Sequence, residues 1–221
     1  MYDSPRYPTD PEEAERFVAG QRHGTLIAAP AGGHPQVSLL PFVKTGDSIE
    51  VHCVQADPTF SAVRANPDVT FVVSDFLAFS PHHWVDQVMA SRATLHFRAV
   101  AYEGEATVST DPSAVAETLS RLLAAYEPEA SYAPVVDGPL YGESLRQLAA
   151  VRIAVRSTRA KLKLGPYGSD AAKWAVVRHL RGRAGPNDGR AADVIAASLL
   201  PDGGRGGEPE QVDDPRRGKR A

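Results

Sequence analysis

The stretch EVHCVQADPTF (Glu50–Phe60) joins an alternating apolar run to an Asp-Pro turn. Ile49, Val51 and Cys53 recur at every second position, so Ser48–Cys53 reads as a strand with those three on one face. His52 falls on the other face. The turn at Asp57-Pro58 ends the strand, and Pro58–Asn66 reads as a short helix closed by Asn66-Pro67. A His at a strand end serves either as a half-buried polar residue or as a cofactor ligand. The rest of the chain has to decide between the two.

Upstream, residues 1–10 read as an extended lead-in. Asp10 caps a helix that starts at Pro11, carries Glu12 and Glu13 in its first turn and runs to about Gln21. Gly24–Ala29 is a strand and residues 30–33 a turn. Gln36–Val43 is a second strand interrupted by Pro41, and Thr45-Gly46-Asp47 is a hairpin turn into the His52 strand. Downstream, Val69–Ser74 is a strong β-run extended by Phe76–Phe79, and Ser80–Trp84 is a loop. Thr94–Tyr102 alternates and continues to Val108. Its apolar face is Leu95, Phe97, Ala99 and Ala101. Thr94, His96, Arg98 and Val100 lie opposite. Asp111-Pro112 opens a helix to about Tyr126, Glu143–Ala149 holds a further helical turn, and Val151–Val155 is the last strand. Ser169–Arg181 and Ala191–Leu199 are helices. About six short antiparallel strands with inserted helices predict a mainly β fold with α: a small β-barrel decorated by helices. One domain over residues 1–200 and a disordered tail over 201–221, rich in Gly, Pro and charge, are the expectation.

The chain has 221 residues, 43% hydrophobic and 23% charged, enough to bury a sizeable core. A single Cys excludes an internal disulfide and a Cys-cluster zinc site. The net charge of −3 gives no electrostatic footprint for nucleic acid, and no helix-turn-helix is recognisable. The opening residues lack a basic and apolar leader, and no apolar run approaches the roughly 20 residues that span a bilayer. A cytoplasmic protein without a membrane segment is expected. G-x-G-x-x-G, Walker, H-E-x-x-H and G-x-S-x-G motifs are absent from the sequence.

Four further groups are chemically suggestive. His96, Arg98 and Thr94 share a strand face and together suit a carboxylate, with Arg98 as a bidentate donor. An exposed polar face is the alternative. His82, His83 and Trp84 form a loop in which either His could pass a proton, or be merely solvated. Arg159, Lys161 and Lys163 alternate after the last strand and suit an anionic cofactor or a solvated basic face. Tyr126, Tyr132 and Tyr141 sit in a Pro-rich segment suited to a lid.

The order of these pieces resembles the PaiB family of flavin-binding split barrels, over Met1 to about Leu199. The likeness rests on Met1-Tyr2 with Pro5, Gly24-Thr25-Leu26, Pro35–Pro41, His52 through Asp57-Pro58, Ser80-Pro81, and Lys161-Leu162-Lys163-Leu164. The family's Pro-Thr-Trp-Asn-Tyr stretch is Ala93-Thr94-Leu95-His96-Phe97 here, and its Ser-Gln after Lys-Leu is Gly165-Pro166. His52 is the position best kept. In what it keeps, the chain is similar to the piperazate synthase branch, which exchanged flavin for haem. That resemblance implies an FMN-binding-type split barrel with haem b on His52 and a homodimer with shared cofactor sites. Lys161 and Lys163 would neutralise propionates. The implied reaction is N–N ring closure of N5-hydroxyornithine to piperazic acid. On this reading Arg98 would hold the substrate carboxylate, and His96 or His83 would supply the proton. The alternative is an FMN-binding oxidoreductase or negative transcriptional regulator.

Overall fold

The computed structural model describes residues 7–200 apart from Ala31 and Tyr167. The proposed tail and the start of the lead-in lie outside the described residues. In chain order the elements are α1 (Pro11–Ala19), β1 (Gly24–Ala28), β2 (Gln36–Leu40), β3 (Val43–Thr45), β4 (Ser48–Val54), α2 (Pro58–Ala65), β5 (Asp68–Ser80), β6 (Thr94–Ser109), α3 (Pro112–Tyr126), α4 (Gly142–Leu145), β7 (Leu148–Lys163), α5 (Asp170–Arg183) and α6 (Asp188–Ala197). One-turn 3-10 segments at His82–Trp84 and Ala90–Arg92 lie between β5 and β6.

Local chemistry starts the helices. Asp10, Asp57, Asp111 and Ser169 each accept a backbone N–H of the first turn of α1, α2, α3 and α5. Pro follows each of the three Asp caps, where its missing N–H costs nothing. The expected second strand is two: Pro41-Phe42 separates β2 from β3. Gly46, at φ 53°, makes the turn between β3 and β4.

The strands form one seven-stranded sheet in the order β2-β1-β5-β6-β7-β4-β3. The pairs β1–β2, β1–β5, β3–β4 and β4–β7 are antiparallel. The strands are longer than expected: β5 has 13 residues, β6 and β7 have 16 each. The basic run after Val155 is therefore strand. It escapes an alternation test because Arg156, Ser157, Thr158 and Arg159 are all exposed. Backbone pairing within the sheet carries it, and exposed ion pairs flank it: Arg156 reaches Asp68 and Glu105, and Arg159 reaches Glu103. Where β6 passes β7 the backbones are close. A Cβ on Gly104 would lie 2.3 Å from the Ala154 carbonyl oxygen.

The chain forms two compact units. The first comprises the described residues up to Phe76 together with Phe97–Leu162. Its core includes Leu26, Ile49, Val51, Phe71, Tyr102 and Ile153. The second comprises Leu77–His96 and the described residues from Lys163 onward. Here α5 and α6 pack Trp174, Val177, Leu180 and Ile195 against Leu77 and Ala78.

Candidate functional site

In β4 the side chains of Ile49, Val51 and Cys53 are buried on one face. His52, on the other, sits beside Ala150 of β7. Ala150 packs with Val115 and Ala116 of α3 and Leu145 of α4. Glu50, on the same face as His52, is bound by Arg121 of α3 at 2.6 Å. Helix α3 thus roofs this face. Under it, Nδ1 of His52 is buried and has no hydrogen-bond partner. Burial also holds the His52 pKa below its ordinary value. The result is a neutral imidazole with an unused ring nitrogen, the form that binds a metal. Cys53 faces the opposite core. Burial, with the Asp57 charge nearby, pushes its thiol up to about 11, so it stays protonated at neutral pH.

His96 has a different use. It is fully buried in the second unit. Its Nδ1 accepts the Gly165 N–H at 3.1 Å, and its Nε2 lies 2.9 Å from the Ser80 hydroxyl. A nitrogen that accepts carries no proton, so the proton is on Nε2 and the ring is neutral. Burial, then the charges of Lys163 and Arg183, lower its pKa to about 4. His96, one of the two expected proton donors, is therefore a structural polar group with both nitrogens committed.

Arg98 belongs to the first unit, and its fork is taken. Nε and Nη2 reach Asp75 at 3.3 and 2.6 Å, and the guanidinium lies 4.4 Å from the centre of the Phe17 ring. It ties α1 to the sheet and does not offer an open carboxylate grip. The face of β6 that reads as polar is mainly the inward one: Thr94, His96, Val100 and Tyr102 are all buried, while Leu95 is exposed. Buried hydrogen bonds and an ion pair offset the polarity of that face.

In the second unit, His83 is exposed and stands edge-on to His82, with ring centres 5.6 Å apart. Trp84 stacks with His179 at 5.1 Å, and the Arg183 guanidinium lies over its ring at 4.8 Å. Lys163 is half-buried in this unit and Lys161 half-buried in the first.

One feature that sequence reasoning missed is a cavity of about 580 Å³ in the first unit. It is bounded by α1, Phe42–Lys44, the Gly46-Asp47 turn and the end of α3. Tyr126 closes it from α3. Its hydroxyl accepts the Phe42 N–H at 3.0 Å and donates to the Arg22 carbonyl. Tyr126 is thus a lock rather than part of a lid. Tyr132 is exposed, and Tyr141 bonds the Ala133 carbonyl at 3.3 Å. The cavity's residues come from three separate stretches, so no local pattern announces them. Among the described residues, no group of three or more His, Cys, Asp or Glu side chains is placed to hold a metal ion. No helix there is long and apolar enough to cross a membrane.

Solved structures similar to this one include the flavocytochrome Anf3 from Azotobacter vinelandii, at 17% identity and TM-score 0.56 over 78% of this chain and 80% of that one. The FAD and heme binding protein from Mycobacterium smegmatis matches at 16% identity and TM-score 0.56, over 77% and 79%. A conserved hypothetical protein from Mycobacterium tuberculosis, Rv2991, matches at 18% identity and TM-score 0.55, over 74% and 91%. These likenesses show the fold, a split barrel decorated by helices. No curated protein sequence matches the chain. A family model described as "Putative FMN-binding domain" matches residues 1–157, and the chain belongs to that family.

Proposed function

We propose that the protein is a haem-dependent enzyme with His52 as the iron ligand, and that it closes an N–N bond in an N-hydroxylated diamino acid such as N5-hydroxyornithine. The observation that carries the cofactor assignment is the buried Nδ1 of His52 without a hydrogen-bond partner. An unpaired buried nitrogen costs on the order of 1–3 kcal/mol, and a ligand bond would remove that cost. A single imidazole suits haem, whose macrocycle would supply the iron's further donors. Bound haem supplies a Lewis-acidic iron for weakening an N–O bond. The chain's part is to keep the His52 ring neutral by burial and to exclude water with α3. The choice of substrate rests on the resemblance to the piperazate synthase branch. A homodimer is part of the same proposal. It is supported by the exposed apolar face of β2, where Val37 and Leu39 are 64% and 67% exposed.

A second reading, FMN binding with oxidoreductase activity, is favoured by the description of the matching family. Against it, one of the three cations suited to a flavin phosphate, Arg159, is held by Glu103. Absorption spectra of the protein supplied with haem and with FMN separate the two readings. A Soret band in the wild type that is lost or shifted in His52→Ala is the expected result. Turnover of N5-hydroxyornithine then tests the reaction. Flavin bands indifferent to His52→Ala would move the assignment to FMN.

A further inference from the structure

The cavity at the end of α3 stands apart from His52. Asp47, on its rim, precedes His52 by five residues along an extended strand, about 17 Å. Its volume of about 580 Å³ is in the range of small-molecule sites. Part of its wall is apolar: Ala19 and Val43 line it, over the buried Val18 and Phe42.

The charged groups on its wall divide into used and unused. The Lys44 amine is satisfied by Glu15 at 2.9 Å and by the Gly46 carbonyl at 2.8 Å. Arg22 is anchored by one bond, Nη1 to the Ala125 carbonyl at 2.9 Å, and lies 5.4 Å from the centre of the Tyr126 ring. Its other N–H groups have no partner among the described residues. Asp47 is held by its backbone, whose carbonyl accepts the Val155 N–H at 2.8 Å. Its carboxylate has no partner among the described residues. The cavity thus presents one guanidinium with spare donors and one spare carboxylate, with a small apolar patch on its wall. The rigid frame of Tyr126, locked to Phe42 and Arg22, limits rearrangement around them.

We propose that this cavity is a second binding site, for a small zwitterion with an apolar body: a free α-amino acid. Its carboxylate meets Arg22, its ammonium meets Asp47, and its side chain lies on Ala19 and Val43. The inference is independent of the cofactor at His52, because none of the residues involved belongs to that locus.

The test is calorimetric titration of the full chain with L-leucine and L-phenylalanine, and with the single-charge analogues isocaproate and isoamylamine. Saturable binding of the amino acids is expected, with each analogue weaker by about tenfold or more, the cost of one charge-assisted contact. Asp47→Asn should weaken leucine by a similar factor and bring it close to isocaproate, because the variant and the analogue remove opposite sides of one contact. Asp47 is exposed, so the substitution leaves the core untouched. Absence of saturable binding by both amino acids would overturn the proposal. So would analogues as tight as leucine, or leucine affinity unchanged in Asp47→Asn.

Discussion

His96 Nε2 and the Ser80 hydroxyl lie 2.9 Å apart inside the second unit, and the Gly165 amide bonds the opposite ring nitrogen. This pairing keeps the imidazole neutral, and it has a pH consequence. The folded pKa, about 4, is below that of an unfolded His near 6.5. As pH falls, the unfolded chain takes up the proton first. The stability tied to His96 is complete above about pH 6.5 and declines toward pH 4, by roughly 3 kcal/mol in all. The lowered pKa of His52 acts in the same direction. Urea unfolding across this range should show the decline. His96→Gln, which can still donate and accept, should flatten it. His96→Leu, which strands the Ser80 hydroxyl and the Gly165 amide, should cost about 2–4 kcal/mol at neutral pH.

The Arg98–Asp75 pair is mostly buried, with side chains 16% and 10% exposed. Removing one partner leaves the other charge poorly solvated. Arg98→Ala should destabilise by about 3 kcal/mol, and further by uncovering Phe17. In the double variant with Asp75→Ala the loss should fall well short of the sum of the single losses. A denaturation cycle over the four proteins measures this directly.

Tyr102 and Tyr126 make opposite predictions for the same substitution. The Tyr102 hydroxyl is buried without a partner, so Tyr102→Phe removes an unsatisfied group and should be neutral or stabilising by about 1 kcal/mol. The Tyr126 hydroxyl joins α3 to Phe42 and Arg22. Tyr126→Phe should cost about 1–2 kcal/mol, and it should loosen the cavity. Thermal unfolding of the two variants distinguishes them by sign.

Val37 and Leu39 project from β2 next to Ile27 and Thr25 of β1. If this face pairs two copies, Val37→Lys with Leu39→Lys should convert a dimer to a monomer with the fold retained. Light scattering coupled to gel filtration reads the mass, and circular dichroism reads the fold. A wild-type monomer would remove the homodimer from the proposed function.

The sequence alone determined the local order of the protein. Asp10, the Asp-Pro pairs at residues 57 and 111, and the alternation of Ile49, Val51 and Cys53 placed the helices and strands close to where they lie. Capping bonds and side-chain periodicity act within a few residues, so they are written locally. That order also sufficed for the likeness to a split barrel, and it singled out His52. What only the tertiary structure decided is which partner each polar group meets. His96 and Arg98 read as an open polar face because their partners, Gly165 and Asp75, are 69 and 23 residues away in sequence. The length of β7 depends on its pairing within the sheet, and the cavity on three separated stretches. A buried polar group is tolerated only where distant atoms satisfy it, and the fold brings those atoms together.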